Sequence, residues 1–165
     1  MSTLPDLHAV IGVWNDGART FHVKRSQRMR NYPGVWSLFS IQFRPEELPD
    51  PDDLSAAQVH FERMARQRLG GAGVETLELL ATDSSDRNPI GHNVHLRLYR
   101  IRFESQPRLN PEFYTDGRWM TFDEYEVAAS GEACGLCMRM WGDIAFLHGI
   151  IDRPFIPNRE AMDRN

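Results

Sequence analysis

The sequence predicts a single α/β domain with a mixed sheet, on three observations. Short apolar runs broken by turn residues read as strands, and two stretches carry apolar residues at helical spacing. The length, 165 residues, suits one core. The elements interleave without the regular alternation of a Rossmann sheet, so pairing is expected to be mixed.

Leu7 to Trp14 contains Val10, Ile11 and Val13, stops at Asn15-Asp16-Gly17, and is followed by Phe21 to Lys24. This pattern predicts a hairpin. Val35 to Phe43 alternates after Pro33-Gly34, with Val35, Ser37, Phe39, Ile41 and Phe43 on one side, and predicts a third strand. Arg44 to Asp53 holds three prolines and five acids and reads as a loop. Ala57, Phe61, Ala65 and Leu69 then recur every four residues before Gly70-Gly71, which predicts a helix with a glycine stop.

Val74 to Leu80 is a short strand candidate and His92 to Phe103 a long one. In the latter, Val94, Leu96 and Leu98 share one phase and Ile101 and Phe103 the other, so a bulge is expected. Gln106 to Gly117, with Pro107 and Pro111, reads as a loop; Arg118-Trp119-Met120 ends a strand, and Thr121 with Asp123 caps a helix. Met138, Trp141, Ile144, Ala145 and His148 place a last helix between about Gly131 and Ile151. Residues 1–153 are expected to form the domain, and 154–165 a polar, loosely held tail.

A net charge of −4 argues against general nucleic-acid binding, because no global positive field is present to release counterions from phosphates. The basic stretch His22 to Arg30, with Lys24, Arg25, Arg28 and Arg30, is a local patch or a solvated hairpin. No apolar run reaches the ~18 residues of a membrane span, and the start lacks a signal-peptide pattern, so a cytoplasmic location is expected and a membrane partner is not. Cys134 and Cys137 form one CxxC without two further ligands nearby, so free, inert thiols are expected. His92 and His95, three apart in a strand, face opposite sides and make a poor metal pair.

Three segments together carry a family likeness: Tyr32-Pro33-Gly34-Val35-Trp36-Ser37-Leu38, then Arg63 with Leu69-Gly70, and later Gly117-Arg118-Trp119-Met120-Thr121-Phe122-Asp123-Glu124. The chain from about residue 8 to 150 resembles the Nudix hydrolases, whose motif reads PGxWxLPGG and then RExxxEExG. The resemblance implies a Nudix-like α/β/α sandwich. It also implies where a metal would lie, and there the chain departs from the family. With Leu69-Gly70 as the closing step, Arg63 falls on the family's arginine, while the three carboxylate positions become Met64, Gln67 and Arg68. Carboxylates there would hold Mg²⁺ against phosphate oxygens; methionine does not ligate it usefully and arginine repels it.

A helix face showing His60, Met64, Gln67 and Arg68, with Arg63 close by, points instead to direct binding of phosphate or carboxylate by guanidinium forks. The competing reading is a solvated helix face. The ligand-binding candidates are therefore Arg25, Tyr32, His60, Arg63, Gln67 and Arg68, with Tyr32 as a stacking surface. The expected function is binding of a phosphorylated or nucleotide-like ligand through a degenerate Nudix box, without conventional Mg²⁺-dependent hydrolysis and without a cofactor. The alternative is a diverged pyrophosphohydrolase acting on a nucleoside diphosphate derivative, or other chemistry in the same cleft. In that case acids from loops rebuild the Mg²⁺ site, with Glu112 and Asp116 as the catalytic candidates. A homodimer is compatible with the fold family, although no interface is evident in the sequence.

Overall fold

The first apolar run forms β1 (Leu7–Val13), and its neighbours explain why it is apolar on both sides. It pairs antiparallel with β5 (Phe39–Phe43) and parallel with β7 (Asn93–Phe103). A strand covered on both faces has no solvent side, so strict alternation is lost. Ala9, Ile11 and Val13 enter one core and Val10 the other. β6 (Val74–Arg87) lies outside β7, giving a mixed sheet of order β5-β1-β7-β6.

This computed structural model describes residues 4–88 and 90–155. Among them a second sheet forms from β2 (Asn15–Asp16), β3 (Arg19–Arg25), β4 (Trp36–Ser37) and β8 (Tyr114–Met120), all paired with β3. The expected hairpin is thereby corrected. Gly17, at φ +58°, closes a turn between β2 and β3 only. β1 belongs to the other sheet, and the chain changes sheets at Trp14, whose carbonyl accepts from the Phe21 N–H at 2.8 Å. The expected strand over Val35 to Phe43 divides in the same way, with Leu38 between the part paired to β3 and the part paired to β1.

α1 (Leu54–Arg68) begins at Asp53, whose side chain accepts from the Ala56 N–H at 3.1 Å. It ends where Gly70 and Gly71 take φ values of +66° and +78° and the Gly71 N–H returns to the Ala65 carbonyl at 2.8 Å. Ala57, Phe61, Met64 and Ala65 of this helix pack in one core with Tyr99, Ile101 and Phe103 of β7. α3 (Leu136–Leu147) buries Leu136, Met138, Trp141 and Ala145 in the other core, with Val94, Leu96 and Leu98.

The change of phase along β7 is thus a change of buried face, with one helix covering each half. The β1–β7 register runs unbroken, and the irregularities fall on β6, at Val74/Thr76, Leu79/Ala81 and Ala81/Ser84. Helix, sheet and helix make the α/β/α arrangement.

β8 starts at Tyr114, earlier than the loop expectation allowed, because it pairs with β3 as far back as Arg25. Thr121 Oγ1 accepts from the Glu124 N–H at 3.2 Å and opens α2 (Phe122–Ala128). The last helix is shorter than expected, since Gly131 has φ +80° and Gly135 is the N-cap. Phe155 packs against Phe122 and Tyr125, with ring centroids 5.5 and 6.1 Å apart, so the chain remains fastened one residue past Pro154. The rest of the expected tail, 156–165, lies outside the described residues. No helix among the described residues is long and apolar enough to cross a membrane.

Candidate functional site

β5 is an edge strand, and an edge leaves carbonyls without ladder partners. Two arginines of α1 supply them. Arg68 Nη1 donates to the Ser40 carbonyl at 2.8 Å and Arg63 Nη2 to the Gln42 carbonyl at 2.9 Å. Arg68 is fixed further by the Tyr114 hydroxyl at 3.2 Å and by the Phe113 ring, whose centroid lies 4.7 Å from its guanidinium carbon. Arg63 is 3.8 Å from the Glu47 carboxylate. The Nε of each arginine is buried without a hydrogen-bond partner.

Around this edge lies a cavity of about 430 Å³. Arg63, Gln67 and Arg68 form one side. Arg25 reaches in from β3, and its Nε donates to the Asn31 carbonyl at 2.9 Å. Burial lowers the Arg25 pKa from its ordinary value, although a guanidinium stays charged in proteins. The segment after β3 closes the cavity with Arg30, Asn31 and Tyr32, and Asn31 Oδ1 is buried without a partner. Tyr32 is the one non-glycine residue among those described at positive φ, +49°. The floor is apolar, from Leu7 and Ala9 of β1 and Val94 and Leu96 of β7, and the first turn of α3 contributes Leu136 and Cys137. No aspartate or glutamate lines the cavity among the described residues. The site is a cationic side opposite an apolar floor, a geometry for an anion carrying an organic group.

Of the sequence-derived ligand candidates, Arg25, Tyr32, Arg63, Gln67 and Arg68 meet in this cavity. His60 does not line it: it is buried, with Nε2 3.3 Å from the Glu47 carbonyl and Nδ1 3.4 Å from Arg63 Nη2. Met64, placed by helical spacing on the same face, is fully buried in the core, because α1 turns its Ala57, Phe61 and Ala65 stripe inward.

Glu112 and Asp116 also lie away from the cavity lining. Glu112 is exposed, and its backbone carbonyl accepts from Ser26 Oγ at 2.8 Å. Asp116, on β8, pairs with Arg118 at 2.9 Å. Among the described residues no three His, Cys, Asp or Glu side chains are grouped to hold a metal ion.

Arg30, Asn31 and Cys137 are cavity residues that the sequence reading left out. The basic stretch running directly into Tyr32 was a usable signal for the first two. Nothing local in the sequence marks Cys137, which is brought in by the docking of α3. Both cysteines are free thiols. Burial raises Cys137, with Arg25 opposing, and pushes Cys134 up to about 11, so both are poor nucleophiles at neutral pH. His92 Nδ1 lies 2.9 Å from the Pro5 carbonyl and His95 Nε2 2.8 Å from Asp6 Oδ2. Trp14 and Trp119 pack edge to face at 4.9 Å, away from the cavity.

No family model matches the chain, and no curated protein sequence matches it. Solved structures do match. A Nudix hydrolase from Nitrosomonas europaea superposes with a TM-score of 0.63 at 13% identity, covering 94% of this chain and 95% of that one. The MutT Nudix hydrolase of Burkholderia pseudomallei gives 0.57 at 18% identity, over 73% of this chain and 86% of that one. The Nudix domain of Shewanella oneidensis NrtR, solved with ADP ribose, gives 0.51 at 18% identity, over 72% and 74%. The fold is the Nudix fold.

Proposed function

We propose that this Nudix-fold protein binds a phosphorylated or nucleotide-like ligand directly through arginines, without Mg²⁺-dependent hydrolysis. The observation that carries the reading is the convergence of Arg25, Arg63 and Arg68 on one cavity that has no acid side chain in its described lining. Guanidinium forks match phosphate oxygens bidentately and need no bridging metal. The ADP ribose held by the Shewanella oneidensis domain supports a nucleotide-like ligand class.

The donor set does not suit Mg²⁺, which takes oxygen ligands and favours carboxylates. At the helix positions where the fold family places those carboxylates, this chain has buried Met64, Gln67, and Arg68 occupied with Ser40. The alternative, hydrolysis through a site rebuilt by Glu112 and Asp116, is weakened by the position of both residues away from the cavity lining. The binding reading assigns phosphate contacts to the arginines, the wall beside them to Gln67, and the organic group to Tyr32 and the apolar floor.

The test is thermal denaturation with ADP and with ADP ribose, each in EDTA and in millimolar Mg²⁺, with product analysis. A ligand that binds only the native state at ~100 times its Kd adds about 2.7 kcal/mol of stability. Stabilisation in EDTA without turnover is the expected result. Stabilisation only with Mg²⁺, with products accumulating, would establish the hydrolase alternative; no stabilisation by either compound would remove the nucleotide-like reading.

A further inference from the structure

We infer that the cavity grips its ligand by a terminal diphosphate in metal-free form, so that Mg²⁺ antagonises binding. This rests on the reading of the cavity as an anion site and specifies which end of the ligand enters and in what ionic state.

The charge balance of the lining carries the argument. Four guanidiniums reach the cavity, from Arg25, Arg30, Arg63 and Arg68, and among the described residues only Arg63 has a carboxylate near it, Glu47 at 3.8 Å. Arg25 and Arg68 are bonded to neutral acceptors, the carbonyls of Asn31 and Ser40. Holding cations away from water without counter-charge is unfavourable, and an arginine does not relieve it by losing its proton. Arg25 and Arg68 are therefore two part-buried charges without counter-charge among the described residues, and the solvated Arg30 adds a third positive charge at the same cavity, in a chain of net charge −4.

A terminal phosphate supplies about −1.5 to −2 at neutral pH, and the inner phosphate of a diphosphate adds one more. That total matches the three free guanidiniums. A diphosphate esterified at both ends has one charge on each phosphorus and leaves part of the excess unanswered. Chelated Mg²⁺ cancels two of the ligand's charges and brings a cation beside Arg25 and Arg68. The cavity lining agrees with this orientation: the apolar floor of Ala9, Val94 and Leu96 accepts the organic group, and the arginines stand at the end where the diphosphate would lie.

Isothermal titration calorimetry of the full chain with ADP and ADP ribose, in EDTA and in millimolar Mg²⁺, decides the matter. ADP is expected to bind about tenfold tighter than ADP ribose in EDTA, the worth of one additional charge-assisted contact, and to weaken when Mg²⁺ is added. Arg30→Gln, on an exposed residue, is expected to lower ADP affinity more than ADP ribose affinity. Equal affinities, or tightening by Mg²⁺, would overturn this inference and leave the anion site standing. Binding of neither compound would overturn the anion site itself, and the inference with it.

Discussion

Arg68 Nη1 and the Ser40 carbonyl, 2.8 Å apart, join the end of α1 to the open edge of β5 with the same guanidinium that faces the cavity. Arg68 therefore has a structural duty as well as a place in the site. Charge reversal by Arg68→Glu would place a carboxylate beside that carbonyl and disturb the fold as well as the site.

The milder Arg68→Gln is expected to cost about 1–3 kcal/mol, from the lost charge-assisted bond and the lost stacking on Phe113. Urea denaturation checks this through a lower midpoint at unchanged slope. An unchanged midpoint would mean that the bond to Ser40 contributes nothing to stability in solution.

Gln67→Glu separates binding from stability. Gln67 is exposed and shares the cavity side with Arg63 and Arg68. Glutamate has nearly the helix propensity of glutamine, so the stability change should stay within about 0.5 kcal/mol. A carboxylate on that side should weaken ADP binding about tenfold, read by calorimetry at low salt, where the charge is least screened. Unaltered affinity would place the ligand elsewhere.

His22 sets a pH dependence. It is 2% exposed, donates from Nδ1 to the Thr20 carbonyl at 2.9 Å, stacks on Tyr125, and has no partner at Nε2. Burial depresses its pKa from 6.5 to about 4. Between those values the unfolded chain binds the proton and the folded chain does not, so stability is complete above the unfolded value and falls as pH drops through the window. The total loss at pH 4 is about 3 kcal/mol, at ~1.4 kcal/mol per pH unit. On acidification across this range the wild type should lose about 3 kcal/mol relative to His22→Phe in denaturation; parallel curves would show that His22 is not the titrating group.

What the sequence disclosed was local, and what it concealed depended on distant partners. The glycine stop of α1 and the Thr121 cap were legible because each is set by a few adjacent residues. The sheet change at Trp14 was not, since a polar Asn-Asp-Gly turn looks the same whether the preceding strand pairs across it or departs. β7 invited a bulge because its two apolar phases are covered by helices far apart in sequence. In the cavity, Arg63, Gln67 and Arg68 followed from helical spacing. His60 and Met64 satisfied the same spacing, but the direction of the core decided against them. Cys137 needed the docking of α3.

Gly142 and Phe155 give the last prediction, on the far side of the sheet from α1. A Cβ built at Gly142 would lie 2.6 Å from Phe155 Cβ, closer than real Cβ contacts come, so the residue after Pro154 packs where only glycine leaves room. In an unobstructed helix, glycine to alanine gains ~1 kcal/mol from propensity. Here Gly142→Ala should instead destabilise by at least about 1 kcal/mol, because Phe155 must leave its contacts with Phe122 and Tyr125. In a Phe155→Ala background the obstruction is reduced, and the same substitution should become neutral or stabilising. A double-mutant cycle by thermal denaturation reads this change of sign as a coupling energy. Additive effects would show that Phe155 does not occupy this place against α3 in solution.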